Sequence, residues 1–157
     1  MFHAKKVVLC ASLLISTVVF GRCFHAERLH VLKKNGFDPK IIYDIGAHQG
    51  TWTTEVRAIF NTAHFILFEA NECHAPYLNR TGFPYFIGLL GDRQDTVPFY
   101  SINGTGDSIF IEQTHHYQEG KYLQKNIPMS PLDLLVQEHQ LPLPDFIKMD
   151  VQGAEKL

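Results

Sequence analysis

The chain has 157 residues, 45% of them apolar and 19% charged, with a net charge of −2. That is enough for one domain with a packed core, and both fractions are ordinary for a globular protein. The scattered basic residues and near-neutral balance give no electrostatic basis for binding nucleic acid. Three cysteines (Cys10, Cys23, Cys73) form no CxxC pair and no zinc spacing, which fits free thiols in a reducing compartment. Nine histidines include the adjacent pairs Cys73–His74 and His115–His116 but no HExxH-like group. Adjacent residues point in different directions on a helix or strand, so no metal site is expected.

The chain begins with a hydrophobic segment over residues 1–23. Val7 to Gly21 is a run of 15 uncharged residues between Lys6 and Arg22. As a helix it spans about 22 Å, at 1.5 Å per residue. A hydrocarbon core is about 30 Å thick. The run fits the apolar part of a signal peptide or an anchor, with Lys5–Lys6 as its basic start, and it also fits a buried or docking helix. Basic residues stand on both sides and do not fix an orientation. Membrane association through residues 7–21 is therefore one of the open readings. N-x-T sequons at Asn79 and Asn103 matter only for a secreted chain.

From residue 24 the pattern is regular, and residues 24–157 read as one domain. "AERLHVLKKNG" is a short amphipathic helix stopped at Gly36. "KIIYDIG" is a buried strand, "TWTTEVRAIF" a helix and "HFILFEA" a second buried strand. "NECHAPYLNR" reads as a turn and short helix, and "YFIGLL" as a third strand. "TVPFYSINGTGDSIFIE" reads as two strand-like pieces around a Gly/Asn turn. In "SPLDLLVQEHQ" Ser130 is a cap, Pro131 suits the first helical position, and Asp133 sits in the positive first turn. "DFIKMD" is the fourth main strand.

Wholly apolar strands alternating with helices predict an α/β fold: a doubly wound, mostly parallel sheet covered on both faces. Ligands in such folds bind beyond the carboxyl ends of the strands. Strand one ends in Asp44, Gly46, Ala47 and Gly50, strand two in Glu69, strand three in Gly91 and Asp92, and strand four in Asp150. Acids gathered on one rim suit a ligand that carries hydroxyls or positive charge. The first loop, D-x-G-x-x-x-G, lacks the middle glycine of a dinucleotide loop and the Lys-Ser/Thr end of a P-loop. A nicotinamide-dependent oxidoreductase is disfavoured on that ground. The loop leads into a helix N-terminus, which favours a carboxylate. Glu69, 19 residues after Gly50, stands where an acid accepts hydrogen bonds from ribose hydroxyls. S-adenosylmethionine fits the set: ribose at Glu69, adenine along the third strand end, its carboxylate near the helix start and its sulfonium near the acids.

The stretches "IIYDIGAHQGTWT", "FILFEAN", "GTGDSI", "PLDLL" and "DFIKMDVQGAE" occur in the order seen in the FkbM family of methyltransferases, which the chain resembles from about Lys40 to Glu155. The last of these is the most specific. The resemblance implies a Rossmann-like S-adenosylmethionine fold of the class I methyltransferase type and O-methylation of a sugar or secondary-metabolite hydroxyl. Asp44, Gly46, Ala47 and Gly50 match the cofactor loop, and Glu69 the ribose-binding acid. His48 departs from the asparagine common in the family. Such a sheet usually has about seven strands. Four main strands and a hairpin are legible here, so the C-terminal half of the sheet is expected to be missing and the methyltransferase domain partial. A complementing segment or an oligomer would then cover the fourth strand. An inactive fragment or cofactor-binding remnant is the alternative to an active enzyme.

Period-two alternation puts Phe146, Lys148 and Asp150 on one face of their strand. A central lysine is costly unless paired, which predicts mutual support of Lys148 and Asp150. Asp150 suits the cofactor side. For proton removal the weak candidates are Asp150, Lys148, His115 and His116. The acceptor is expected to be a small molecule or a glycan. The cofactor is made in the cytosol, which favours a cytoplasmic or membrane-anchored chain and leaves secretion as the alternative.

Overall fold

A computed structural model describes residues 24–101, 107 and 122–151. The apolar run 7–21, the second hairpin piece, His115, His116 and the end of the "DVQGAE" stretch lie outside the described residues. Among the described residues no helix is long and apolar enough to cross a membrane.

Helix α1 (Phe24–Lys34) buries Leu29 against the sheet. Lys33 Nζ donates to the Ile59 carbonyl and ties the end of α1 to the turn beyond α2 (Thr51–Arg57). Four strands form the main sheet: β1 (Ile41–Ile45), β2 (His64–Glu69), β3 (Tyr85–Ile87) and β7 (Phe146–Met149). All pair in parallel, in the order β3-β2-β1-β7. Between β2 and β3 run a 3-10 turn (Glu72–His74) and α3 (Ala75–Thr81).

Both faces of this sheet are covered, which is why β1 and β2 are apolar at nearly every position. Alternation sorts the side chains. Ile42, Phe65 and Leu67 pack with Val56, Phe60 and Leu78 on the side of α1, α2 and α3. Tyr43, Ile45, Ile66 and Phe68 pack with Leu132, Leu135 and Val136 of α4 (Leu132–Glu138) on the other. The Tyr43 hydroxyl donates to the Pro142 carbonyl at 2.8 Å, and burial pushes its pKa above the ordinary tyrosine value. Asp145 fastens the start of β7 to β1, accepting from the Lys40 and Ile41 N–H groups at 2.8 and 3.0 Å. The result is the Rossmann-like α/β fold, with helices on both faces of a parallel sheet.

Three expectations need correction. First, "YFIGLL" is two strands. Gly88, at φ +152°, breaks it, so β3 joins the main sheet while β4 (Leu89–Leu90) joins a second sheet of order β4-β6-β5. Second, no strand is expected over Leu123–Ser130, whereas these residues form β6, the antiparallel partner of β5 (Asp95–Ser101). Strand β6 is polar, mostly exposed and contains Pro128, so nothing in its pattern marks a central strand. The proline is accommodated because β4 pairs only with Met129 and Ser130. Third, Ser130 does not cap α4. It pairs with Leu90 and accepts from Gly91 N–H, so Pro131 becomes the cap residue and the helix starts at Leu132.

Gly88 carries the transfer between sheets, and its N–H donates to the Glu69 carbonyl at 2.9 Å. A β-carbon there meets nothing nearer than the Pro128 carbonyl oxygen at 3.8 Å. The demand for glycine is thus conformational rather than steric. Gly88→Ala is expected to lower the unfolding free energy by about 1–3 kcal/mol, the usual cost of a backbone held in a sparsely populated region. Urea denaturation checks this, and wild-type stability in the variant would contradict it.

Candidate functional site

The chain lays down β1, β2 and β3 in one direction and then returns past β1 to place β7. Strand order therefore reverses between β1 and β7, and the carboxyl ends of those strands form the crevice where such folds bind ligands. Two layers of polar side chains meet there.

The lower layer centres on Asp44, which is fully buried. Its Oδ2 accepts from Thr53 Oγ1 of α2 at 2.5 Å. Its Oδ1 lies 2.9 Å from Lys148 Nζ, the residue opposite it in register on β7. That approach balances charge but lacks hydrogen-bond geometry. Lys148 instead directs its bond to the Gly46 carbonyl at 2.7 Å, and its ammonium also stands 5.9 Å from the Trp52 ring centroid. Lys148 thus pairs across the strands with Asp44, not along its own strand with Asp150 as the alternation suggested. The strand-to-strand neighbour is nearer than the residue two positions on.

Gly46, at φ +72°, sits where the backbone of β7 leaves the sheet. A β-carbon on it would lie 1.9 Å from the Asp150 carbonyl oxygen. The close approach that requires glycine here is made by this chain's own backbone. The N–H groups of Gly46 and Ala47 both donate to the Phe68 carbonyl, at 2.9 and 3.0 Å, which pins the loop over β2.

The upper layer centres on Glu69. Its Oε2 accepts from the His48 N–H at 2.7 Å and its Oε1 from the Asn71 N–H at 2.8 Å. Each oxygen keeps a second lone-pair direction. Asn71 extends the network. Its Oδ1 accepts from the Cys73 N–H at 3.0 Å, and its Nδ2 donates to Asp107 Oδ2 at 2.5 Å and Ser101 Oγ at 3.2 Å. The "GTGDSI" stretch thereby brings Asp107 to the rim. His48 has φ +51°, a left-handed conformation in which asparagine, aspartate and histidine are enriched among non-glycine residues. Its ring lies 4.0 Å, centroid to centroid, from that of His74. Partial burial, then the neighbouring His74, hold the His48 imidazole below its ordinary value of 6.5, against the opposing pull of Glu69 and Asp107.

The structure gathers Asp44, Gly46, Ala47, Lys148 and Asp150 at the β1–β7 crevice, with Glu69 beside them at the end of β2. Asp44 lies beneath the loop, with no surface left for a ligand. Gly50 packs on α3, its β-carbon position 2.7 Å from Thr81 Cγ2. Asp150 is exposed at the tip of β7. Asp92 is not brought to this set. It follows β4 of the second sheet and pairs with Arg93 in solvent at 3.1 Å. The third strand of the main sheet ends at Ile87, five residues before Asp92. Sequence reasoning missed Thr53, Asn71, His74 and Asp107. Only Asn71 and Asp107 had a signal, inside "FILFEAN" and "GTGDSI". Among the described residues no group of three or more His, Cys, Asp or Glu side chains could hold a metal ion.

Removing one partner of a buried ion pair strands the other charge. Lys148→Met is expected to cost about 3–5 kcal/mol of stability by that mechanism. Adding Asp44→Asn to it should recover a large part. Urea titration of the single and double variants checks both, and equal stabilities for the two would contradict the pairing.

Neither a curated protein nor a solved structure matches this chain. The family model described as Methyltransferase FkbM domain matches residues 44–156, more than half of the chain. The match starts at Asp44, spans the loop, the Glu69 clamp and Asp107, and runs through Asp150. The chain belongs to the FkbM methyltransferase family.

Proposed function

We propose that the methyl donor is S-adenosylmethionine, held at the carboxyl ends of β1, β2 and β7, and that the methyl group goes to a hydroxyl oxygen of a sugar or secondary metabolite. The observation that carries the donor assignment is the Glu69 carboxylate. It is fixed by two backbone N–H groups from two different loops, at the end of the strand next to the crevice. It retains lone pairs suited to vicinal hydroxyls, so the donor set fits a ribose. The acceptor class rests on the family resemblance alone.

When bound, the cofactor supplies a methyl group on a cationic sulfur. This chain's residues do the rest. Glu69 and Asn71 orient the ribose end, and the loop from Gly46 to Gly50 backs the methionine end. Asp150 stands on the rim beside Gly46, suited to a cationic amino group. Asp44 and Lys148 act from below, holding the Gly46 carbonyl and hence the loop. Alignment of acceptor oxygen, methyl carbon and sulfur is the main catalytic task in an in-line displacement, with loss of one proton from the acceptor.

Isothermal titration with S-adenosylmethionine tests the reading. Wild type is expected to bind, and Glu69→Gln to bind at least about tenfold more weakly, a loss of about 1.4 kcal/mol. The neutral amide turns an NH2 group toward N–H donors and loses the charge-assisted bonds. Absence of heat at millimolar cofactor, or full affinity in a folded Glu69→Gln variant, would contradict it.

A further inference from the structure

Asp107 has no role in the proposal above. We infer that it is a positioning residue for the donor site: it holds the Asn71 carboxamide, and Asn71 in turn holds the carboxylate that meets the ribose. The segment beyond β5 is thereby built into the donor site. This rests on the cofactor reading of the same site.

Directional hydrogen bonds carry the inference. Asn71 is 5% exposed, and it is bonded at both ends of its side chain and at its backbone. Its N–H donates to Glu69 Oε1 at 2.8 Å. Its Oδ1 accepts from the Cys73 N–H at 3.0 Å, which caps the 3-10 turn. Its Nδ2 donates to Asp107 Oδ2 at 2.5 Å and to Ser101 Oγ at 3.2 Å. An ionised carboxylate only accepts and a backbone N–H only donates, so both ends of the amide are dictated. A flipped amide would set two acceptors together at Asp107 and two donors together at Cys73. Two torsions join the amide plane to Cα, so bonds to that plane from two sides constrain the backbone that carries the N–H. The Cys73 bond is local to the turn. The Asp107 and Ser101 bonds come from a distant stretch of chain and tie the turn to the second sheet.

This tie is the strong one between those parts. A hydrogen bond to an ionised acceptor is roughly twice as strong as a neutral one. The other printed link, Lys125 of β6 with Glu72 of the turn at 2.8 Å, lies in solvent, where such pairs contribute little. The two donors on Glu69 are therefore supported separately. The His48 N–H belongs to the loop pinned at the Phe68 carbonyl, and the Asn71 N–H to the residue clamped by Asp107. A carboxylate held this way before the ligand arrives loses less freedom on binding.

The test uses the whole chain and S-adenosylhomocysteine, with and without the 2′-hydroxyl of its ribose. Asp107→Ala removes the acceptor. Asp107→Asn keeps one, because its amide carbonyl can accept from Asn71 Nδ2. Isothermal titration should show about a tenfold loss of affinity in Asp107→Ala, the worth of one charge-assisted hydrogen bond. Asp107→Asn should recover most of it. The 2′-deoxy ligand should bind wild type and Asp107→Ala alike, whereas a merely structural role would weaken both ligands equally. Asn71→Asp sets two carboxylates together and should also weaken binding, and adding Asp107→Asn should restore it by supplying a donor. Hydrogen exchange without cofactor reads the clamp itself: protection of the residue-71 amide should fall in Asp107→Ala and hold in Asp107→Asn. An equal preference for the 2′-hydroxyl in wild type and Asp107→Ala overturns the inference and leaves the cofactor reading standing. So does undiminished protection of the residue-71 amide in Asp107→Ala. Absence of binding by wild type overturns the cofactor reading, and this inference with it.

Discussion

The buried pairing of Asp44 with Lys148 is the constraint on which the rim depends. A carboxylate and an ammonium withdrawn from water are tolerated only when each finds partners. Here the partners come from four places in the chain. Asp44 lies on β1, Thr53 on α2, Lys148 on β7, and the Gly46 carbonyl in the loop between β1 and α2. The polar cluster therefore specifies which strand lies beside β1 and in what register. It also fixes the height of the loop, because the lysine that balances Asp44 also grips that carbonyl.

The upper layer follows from the lower. With Gly46 set against the backbone of Asp150, the loop can turn only toward β2, where the Phe68 carbonyl receives two of its N–H groups. That places the His48 N–H on Glu69. Glu69 is thereby oriented by backbone donors rather than by flexible side chains, the arrangement expected of a group that must meet a ligand without reorganising. Gly88 completes the geometry from the far side. Its bond to the Glu69 carbonyl holds β3 beside β2 before the chain crosses to the second sheet.

Much of this was legible in the residues. Apolar strands such as "IIYDI" and "HFILFE" can only be buried on both faces, and that alone yields a parallel two-sided sheet. The strand-end acids mark the rim for the same reason, since polar groups close a buried strand where it meets solvent. What stayed hidden was everything decided by pairing between distant segments. The partner of Lys148 was read as Asp150, because alternation within a strand is visible in sequence whereas register between strands is not. Strand β6 has no apolar pattern, since most of it faces solvent. The break at Gly88 looks like an ordinary glycine inside an apolar run. His48 and His74 are 26 positions apart, and only the folding of two strand-end loops brings their rings together.

Placement of the methyl donor on this rim is the central claim, and amide chemical-shift mapping with the non-reactive product S-adenosylhomocysteine tests it most directly. The account predicts that the largest shifts fall at residues 46–50, at Glu69 to Asn71, near Gly88 and at Asp150, while Asp92, Arg93 and the exposed end of β6 stay unmoved. Shifts centred on the second sheet, or none at saturating ligand, would contradict it.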